Sequence, residues 1–208
     1  MLTQKLHDKF VYDRRMNLLS DIISSQLHDG EKVLDIGCGD GKIDYLIMQK
    51  KNVKIHGVDV LLRDKRYIPV EEYDGKLLPF NDDSFDVVIF IDVLHHIENQ
   101  IDILTEAKRV AREIIIIKDH LLKGVLANAT LKFMDYFGNA HYGVALTYNY
   151  LDKTTWESIF IKLDLDPKIW VDKLNLYPFP FNLLFDRKLH FVTNLLVRKK
   201  GVVHPLAN

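Results

Sequence analysis

The chain has 208 residues, 48% of them hydrophobic and 27% charged, and its formal net charge at pH 7 is −1. This length suits one α/β domain, and the composition is that of a globular rather than a disordered protein. The balanced charge argues against a nucleic-acid binder, because such proteins usually carry an excess of basic residues that neutralise phosphates.

The first half of the chain alternates helical and β-strand patterns. The predicted elements are, in chain order, a helix over 13–28, a strand at 32–36, a helix over 41–50, strands at 53–58 and 86–91, a helix around 100–110 and a strand at 113–118. The strands are short, unbroken apolar runs, which are typical of parallel strands covered by helices on both faces. This alternation predicts a doubly wound, Rossmann-like α/β sheet.

The last third of the chain is expected to close the domain. Its predicted elements are a helix over 121–137, a loop over 138–150, a helix after Asp152, and strands at 168–176 and 189–198 that form an antiparallel hairpin. Because the sequence has no long linker or repeat, residues 1–208 are predicted to form one domain. Within it, 1–30 would be a helical cover, 31–118 a ligand-binding core, and 119–208 the closing part.

The number of cysteines and the length of the apolar runs indicate the cellular compartment. The single cysteine, Cys38, rules out an internal disulfide, which fits a reducing environment. No apolar run approaches the roughly 20 residues needed to span a bilayer, and the first residues lack the apolar core of a signal peptide. The sequence therefore predicts a cytoplasmic protein, and it leaves the oligomeric state open.

A glycine-rich turn follows the first predicted strand, in the run Val33-Leu34-Asp35-Ile36-Gly37-Cys38-Gly39-Asp40-Gly41. Glycines at a strand-to-helix turn let the backbone approach a ligand without a Cβ in the way. Asp59 stands at the end of the second strand, where a carboxylate can accept hydrogen bonds from both hydroxyls of a ribose. A tight turn without a ligand is the simpler interpretation of the glycines alone.

The order and spacing of these residues over about 31–118 resemble those of the class I S-adenosylmethionine-dependent methyltransferase family. The resemblance implies a mostly parallel seven-stranded sheet with an antiparallel C-terminal strand, and S-adenosylmethionine as the cofactor. It implies these cofactor contacts: the methionine part at Asp35, Gly37, Cys38 and Gly39, the ribose and adenine at Asp59, Val60, Asp74 and Gly75, and the methionine end at Asp92, Val93 and His96.

Later segments resemble a narrower bacterial group within this class. They are Lys118-Asp119-His120, the stretch 137–145, Tyr148-Asn149-Tyr150 and the stretch 185–191. That group supplies family membership and no substrate.

The acceptor side is expected to cover the carboxyl edge of the sheet with residues 1–15 and 121–150, and with 177–187 as a further candidate. These segments are rich in Phe, Tyr and Leu, which predicts a mostly apolar pocket for a small-molecule acceptor methylated on oxygen or nitrogen. The predicted polar contacts are His141, Tyr142, Tyr148 and Asn149. A shared interface between two copies, or simple closure of the core, explains the same composition.

A neutral hydroxyl or a protonated amine needs a base to take its proton. The candidates are His95, His96, His120, His141, Tyr142 and Asp119. His120 is preferred, because it follows the fifth strand at the ligand-bearing edge, and His141 comes second on the predicted covering loop. A histidine that only bonds to backbone explains each position equally simply.

Missing motifs narrow the chemistry. Attack on pyrimidine C5 needs a cysteine nucleophile, but Cys38 lies in the cofactor turn. The Asn/Asp-Pro-Pro-aromatic turn of adenine and glutamine methyltransferases is replaced by Asp92-Val93-Leu94-His95. No Cys/His spacing suggests zinc, and no metal site is predicted, although Asp92 and Asp119 leave a magnesium-assisted reaction open.

Two other functions remain as alternatives. One is a protein that binds S-adenosylmethionine without transferring its methyl group. The other is a nicotinamide-dependent oxidoreductase, which the Gly-x-Gly-x-Gly spacing and the missing Tyr-x-x-x-Lys pair disfavour.

Overall fold

The computed structural model describes residues 2–139 and 146–198. Its strands are β1 Lys32–Ile36, β2 Lys54–Asp59, β3 Val70–Glu72, β4 Phe85–Ile91, β5 Ala111–His120, β6 Leu165–Val171 and β7 His190–Val197. They form one sheet in the order β3-β2-β1-β4-β5-β7-β6. All neighbouring strands are parallel except β7, which runs antiparallel to β5 and to β6. The predicted fold class is confirmed.

Helices cover both faces of this sheet. They are α1 Leu2–Ser24, α2 Lys42–Met48, α3 Gln100–Val110, α4 Ala127–Asn139, α5 Lys153–Lys162 and α6 Asn182–Phe185, and a 3-10 turn spans Leu94–His96. On one face, Leu19 and Ile23 of α1 pack against β1 and β5. On the other face, Leu104 of α3 and Trp156 of α5 pack against the same central strands. Burial on both faces explains why the central strands are apolar throughout.

The parallel strands bring the residues after β1, β2 and β4 to one edge of the sheet. Asp35 of β1 pairs in register with Gly57 of β2 and Ile89 of β4, so these three strands end side by side. The edge where parallel strands end is where ligands bind in open α/β sheets. The long strand β5 extends the same edge to His120, which lies opposite His190 in the antiparallel pair with β7.

Several predicted boundaries were wrong. The first helix starts at Leu2 rather than 13, and the short strand β3 was missed. The helix predicted over 121–137 begins only at Ala127, because Gly124 and Leu126 adopt left-handed backbone angles, φ 91° and 62°. The strand predicted at 168–176 is β6, at Leu165–Val171, so 172–176 lie outside the sheet.

Other predicted elements were confirmed. The closing strands do form an antiparallel pair, and Asp152 caps α5 by accepting a hydrogen bond from the backbone N–H of Thr155 at 2.8 Å. Of the predicted loop over 138–150, residues 138–139 belong to the end of α4 instead, 146–150 are neither helix nor strand, and 140–145 lie outside the described residues. Across the described ranges, none of the helices combines the length and apolarity that a membrane span requires.

Candidate active site at the carboxyl edge of the sheet

The glycine turn after β1 has one packed side and one open side. Gly37, Gly39 and Gly41 all have left-handed backbone angles, at φ 78°, 61° and 71°. A Cβ added at Gly37 would lie 2.2 Å from Cγ2 of Val93, whereas one added at Gly39 would have no heavy atom within 4 Å. Gly37 is therefore needed for packing, and Gly39 faces open space, as a position where a ligand meets the backbone must.

Asp59 ties the ends of β1 and β2 together. Its carboxylate accepts hydrogen bonds from the backbone N–H groups of Gly39 (2.8 Å) and Leu61 (2.9 Å). Val60 is exposed beside it, and a Cβ at Gly75 would come within 3.2 Å of Cγ1 of Val60. The structure thus brings the residues predicted to hold ribose and adenine to one place.

The side chain of Asp74, in contrast, stabilises the turn that follows it. It is exposed, and its Oδ1 accepts hydrogen bonds from the backbone N–H groups of Lys76 and Leu77. These bonds hold the pKa of Asp74 below its ordinary value. Its contact with the adenine edge stays a prediction.

Asp35 lies next to a second buried carboxyl, Asp44 of α2, which the sequence analysis missed. Burial and the neighbouring charge of Asp44 raise the pKa of Asp35 well above its ordinary value, and burial raises that of Asp44 to about 7. Among the described residues, no N–H or hydroxyl donates to Oδ1 of Asp35 or to either oxygen of Asp44. The pair is therefore expected to hold at least one proton. Asp44 lies three residues before Ile47 and so shares its buried face, a signal that the sequence did contain.

Cys38 completes the turn as a neutral thiol. Burial raises its pKa above the ordinary value, and its Sγ lies 2.4 Å from where a Cβ of Gly57 would be. A protonated, packed thiol agrees with the exclusion of cysteine-nucleophile chemistry.

Asp92, the residue after β4, pairs with two basic side chains. Lys118 of β5 and Arg15 of α1 each form an ion pair with its carboxylate. Burial would raise the pKa of Asp92, but Lys118 and Arg15 lower it well below its ordinary value. Neither Lys118 nor Arg15 was predicted as a site residue. Lys118 directly follows four isoleucines, and a charge buried beside such a run needs a partner, so the sequence contained a signal for this residue.

His95 lies between two buried carboxylates. Its Nδ1 is 2.5 Å from Oδ1 of Asp119, and its Nε2 is 3.1 Å from Oδ1 of Asp135. The other oxygen of Asp135, Oδ2, accepts a hydrogen bond from the hydroxyl of Tyr150 at 2.5 Å. Burial would lower the pKa of His95, but the two carboxylates raise it to about 10. His95 is therefore an imidazolium at neutral pH.

His120 and His190 are held neutral beside it. Nδ1 of His120 is 3.2 Å from Nδ1 of His95, and burial together with that positive charge lowers the pKa of His120 well below its ordinary value. Burial and Lys118 do the same for His190, whose Nδ1 is 3.4 Å from Nζ of Lys118. His96 is half-buried next to His95, and burial lowers its pKa as well.

These side chains form what we call the histidine network, which comprises Arg15, Asp92, His95, His96, Lys118, Asp119, His120, Asp135, Tyr150 and His190. Three groups within it place possible metal-ligand atoms within 4.8 Å of one another. Their carboxylates are already paired with Arg15 and Lys118 or with His95. These pairs already offset the negative charge that would attract a divalent cation.

The structure describes two of the four predicted acceptor contacts. Tyr148 packs on the small cluster that includes Leu131, and its ring lies 6.3 Å from that of Tyr150. The side chain of Asn149 donates to the backbone carbonyls of Ile97 and Glu98, and its backbone N–H donates to the carbonyl of His95, so Asn149 holds backbone segments together. His141 and Tyr142 lie outside the described residues. Asp119 acts on His120 chiefly through His95, because its Oδ1 is 3.8 Å from Nδ1 of His120.

Comparison with known proteins agrees with this geometry. A family model described as a methyltransferase domain matches residues 10–167. The 27-O-demethylrifamycin SV methyltransferase of Amycolatopsis mediterranei is 30% identical over 99 residues, 41% of this chain and 36% of that protein. A probable tRNA methyltransferase 9B of Bos taurus is 32% identical over 129 residues, 54% of this chain and 27% of that protein. The chain thus spans less than half the length of these curated relatives.

Solved structures share the fold at lower identity. Geranyl diphosphate methyltransferase in complex with S-adenosylmethionine superposes with a TM-score of 0.65 at 12% identity, covering 88% of this chain and 85% of that one. At this identity the likeness concerns the fold alone.

Proposed function

Since this chain belongs to the S-adenosylmethionine-dependent methyltransferase family, we propose that it moves the methyl group to an oxygen or nitrogen of a small-molecule acceptor. The observation that carries the proposal is the neutral His120, held against the clamped imidazolium of His95 at the edge where the glycine turn ends. The similar 27-O-demethylrifamycin SV methyltransferase is named for a small-molecule acceptor, which supports this proposal.

The residues present fit the cofactor. Gly39 leaves open space at the turn, Asp59 offers its remaining lone pairs to the ribose, and exposed Val60 offers an apolar surface to the adenine. Asp35 would face the methionine part. When bound, the cofactor supplies a methyl group that its sulfonium already activates.

The protein then has to align the acceptor and manage its proton. We assign His120 the role of accepting that proton, because its imidazole is neutral and lies at the end of β5 at the carboxyl edge of the sheet. Asp119 and Asp135 fix the ring of His95, which in turn positions His120. His141 stays the second candidate for this role.

The test is an acceptor screen that follows labelled methyl transfer, with pools of hydroxyl and amine compounds in one arm and bulk tRNA in another. We expect label in small molecules only. Label retained in tRNA would overturn the small-molecule acceptor, and no transfer in any arm would favour a protein that only binds the cofactor.

With the acceptor known, His120→Gln should lower turnover by roughly 10²–10⁴-fold at unchanged cofactor affinity. His28→Gln, at an exposed position away from the network, is the matched control. Full turnover by the His120 variant would remove His120 from the reaction.

A further inference from the structure

Helix α4 is apolar on both of its sides. Its inner stripe, Ala127 and Leu131, is buried and continues to Asp135 of the histidine network. Its outer stripe, which starts one residue before the helix, is Leu126, Ala129, Phe133 and Tyr136, at intervals of three and four residues. Leu126 is 68% exposed and Phe133 51% exposed. A surface helix normally turns polar residues outwards, so this outer stripe calls for an explanation.

The segment around α6 extends the same surface. The ring of Phe133 stacks on Phe185 at 6.3 Å and 10°, which joins α4 to α6. Leu183 is 67% exposed and Phe179 is also exposed. We call this surface the aromatic face; it comprises Val125, Leu126, Phe133, Tyr136, Phe179, Leu183 and Leu184.

The exposed charges that border the aromatic face are basic. They are Lys123, Lys132, Arg187 and Lys188. Two acids lie in the same segments: Asp135 is buried in the network, and half-buried Asp186 accepts hydrogen bonds from the backbone N–H groups of Leu176 and Tyr177. Half-buried Asp172 pairs with two of the lysines and offsets part of their charge.

We propose that the aromatic face docks on the surface of an anionic lipid bilayer. Exposed aromatic and leucine side chains with a basic border suit the boundary between headgroups and acyl chains, where the apolar groups leave water and the cations meet lipid phosphates. Charge selects this occupant, since the four basic residues exceed the one partly exposed carboxylate that pairs with them, and this net positive border complements a negative membrane surface and repels a second copy of the same face.

The aromatic face lies close to the histidine network. Tyr177 lies 5.4 Å from Phe185 and 5.9 Å from His190, ring to ring, so it connects the aromatic face to the histidine network. A protein docked in this way would hold its acceptor side against the bilayer. The docking itself depends on neither the cofactor nor the acceptor, so its test is separate from that of the proposed function.

The experiment is co-sedimentation of the full chain with vesicles of phosphatidylcholine alone and of an equimolar mixture with phosphatidylglycerol. We expect binding to the mixed vesicles that weakens with salt, and little binding to phosphatidylcholine. The double variant Phe133→Ser, Leu183→Ser should lose roughly tenfold or more in affinity, because it removes two large apolar groups from the contact. Ile161→Ser, at an apolar position 80% exposed on α5, should bind as the wild type does.

Each other outcome counts against the proposal. Absent binding by the wild type, or undiminished binding by the double variant with a wild-type melting temperature, would overturn it. A concentration-dependent dimer in light scattering that the double variant abolishes, without vesicle binding, would make the face a contact between copies. The variant Lys132→Glu, Lys188→Glu separates charge from burial, and we expect it to lose binding to the mixed vesicles.

Discussion

Val93 packs directly on the backbone of Gly37, so that a Cβ at position 37 would lie 2.2 Å from its Cγ2. This contact joins the end of β1 to the loop after β4, and with it the two halves of the predicted methionine site. Gly37, a glycine of the cofactor motif, is therefore also required for packing.

Gly37→Ala is expected to lower the free energy of unfolding by about 1–3 kcal/mol through overpacking, with a further cost of about 1 kcal/mol for the left-handed backbone. Adding Val93→Ala should recover the overpacking part alone. Urea denaturation of the four proteins of this double-mutant cycle measures the coupling. Additive effects of the two substitutions would show that the contact carries no energy.

Asp59→Ala is expected to weaken S-adenosylmethionine binding by about 1.5–3 kcal/mol, the range for hydrogen bonds to a charged group. Isothermal calorimetry measures it, with Asp64→Ala at an exposed loop position as control. Because Asp59 also accepts backbone N–H groups of Gly39 and Leu61, the melting temperature of each variant must be compared first. Unchanged affinity would place the ribose elsewhere.

Asp44→Asn is expected to stabilise the protein without cofactor at pH 8. The pKa of Asp44 rises from 3.8 in the unfolded chain to about 7 in the folded one, so unfolding releases a proton between these values and stability falls as pH rises through them. Because the amide does not ionise, we expect the variant to have a free energy of unfolding about 1–3 kcal/mol higher than the wild type at pH 8 and almost the same at pH 4. That corresponds to roughly 2–4 °C of melting temperature per kcal/mol. A pH-independent difference, or one that Asp64→Asn reproduces, would contradict the shared burial of Asp35 and Asp44.

The pKa of His95 is expected to lie above that of an ordinary histidine, and the pKa of His120 below it. The pKa of His95 is raised to about 10 and that of His120 is lowered well below 6.5, so at pH 7 one ring is charged and its neighbour is not. Imidazole nitrogen shifts measured by NMR distinguish the two forms. Asp135→Asn should lower the pKa of His95, and an imidazolium signal that disappears near pH 6.5 in the wild type would contradict the assignment.

The residues predicted for the cofactor half meet at one edge of the sheet because that half is local, and their contacts with the cofactor stay a prediction. Strand, glycine turn and helix follow one another, Asp59 ends β2, and Asp92 directly follows the apolar run of β4. Parallel pairing then brings these ends together without further information.

The histidine network was harder to predict because its members come from six separated segments. Arg15 belongs to a helix whose first turns show little apolar periodicity, and His190 opens a strand that pairs antiparallel with β5. A three-residue strand such as β3 is too short for a period of two to be read. The late start of α4 depends on backbone angles at Gly124 and Leu126 that composition does not reveal.

The place of β7 between β5 and β6 has a consequence for the order in which the molecule is assembled. The strands that carry the cofactor turn, β1, β2 and β4, emerge from the ribosome well before β7, and they can pair among themselves. Strand β6 is made earlier than β7 but reaches the sheet only through it. His190, at the first position of β7, lies opposite His120 in the antiparallel pair. We therefore expect a nascent chain to acquire a nucleotide-binding half first and its proton-handling half last.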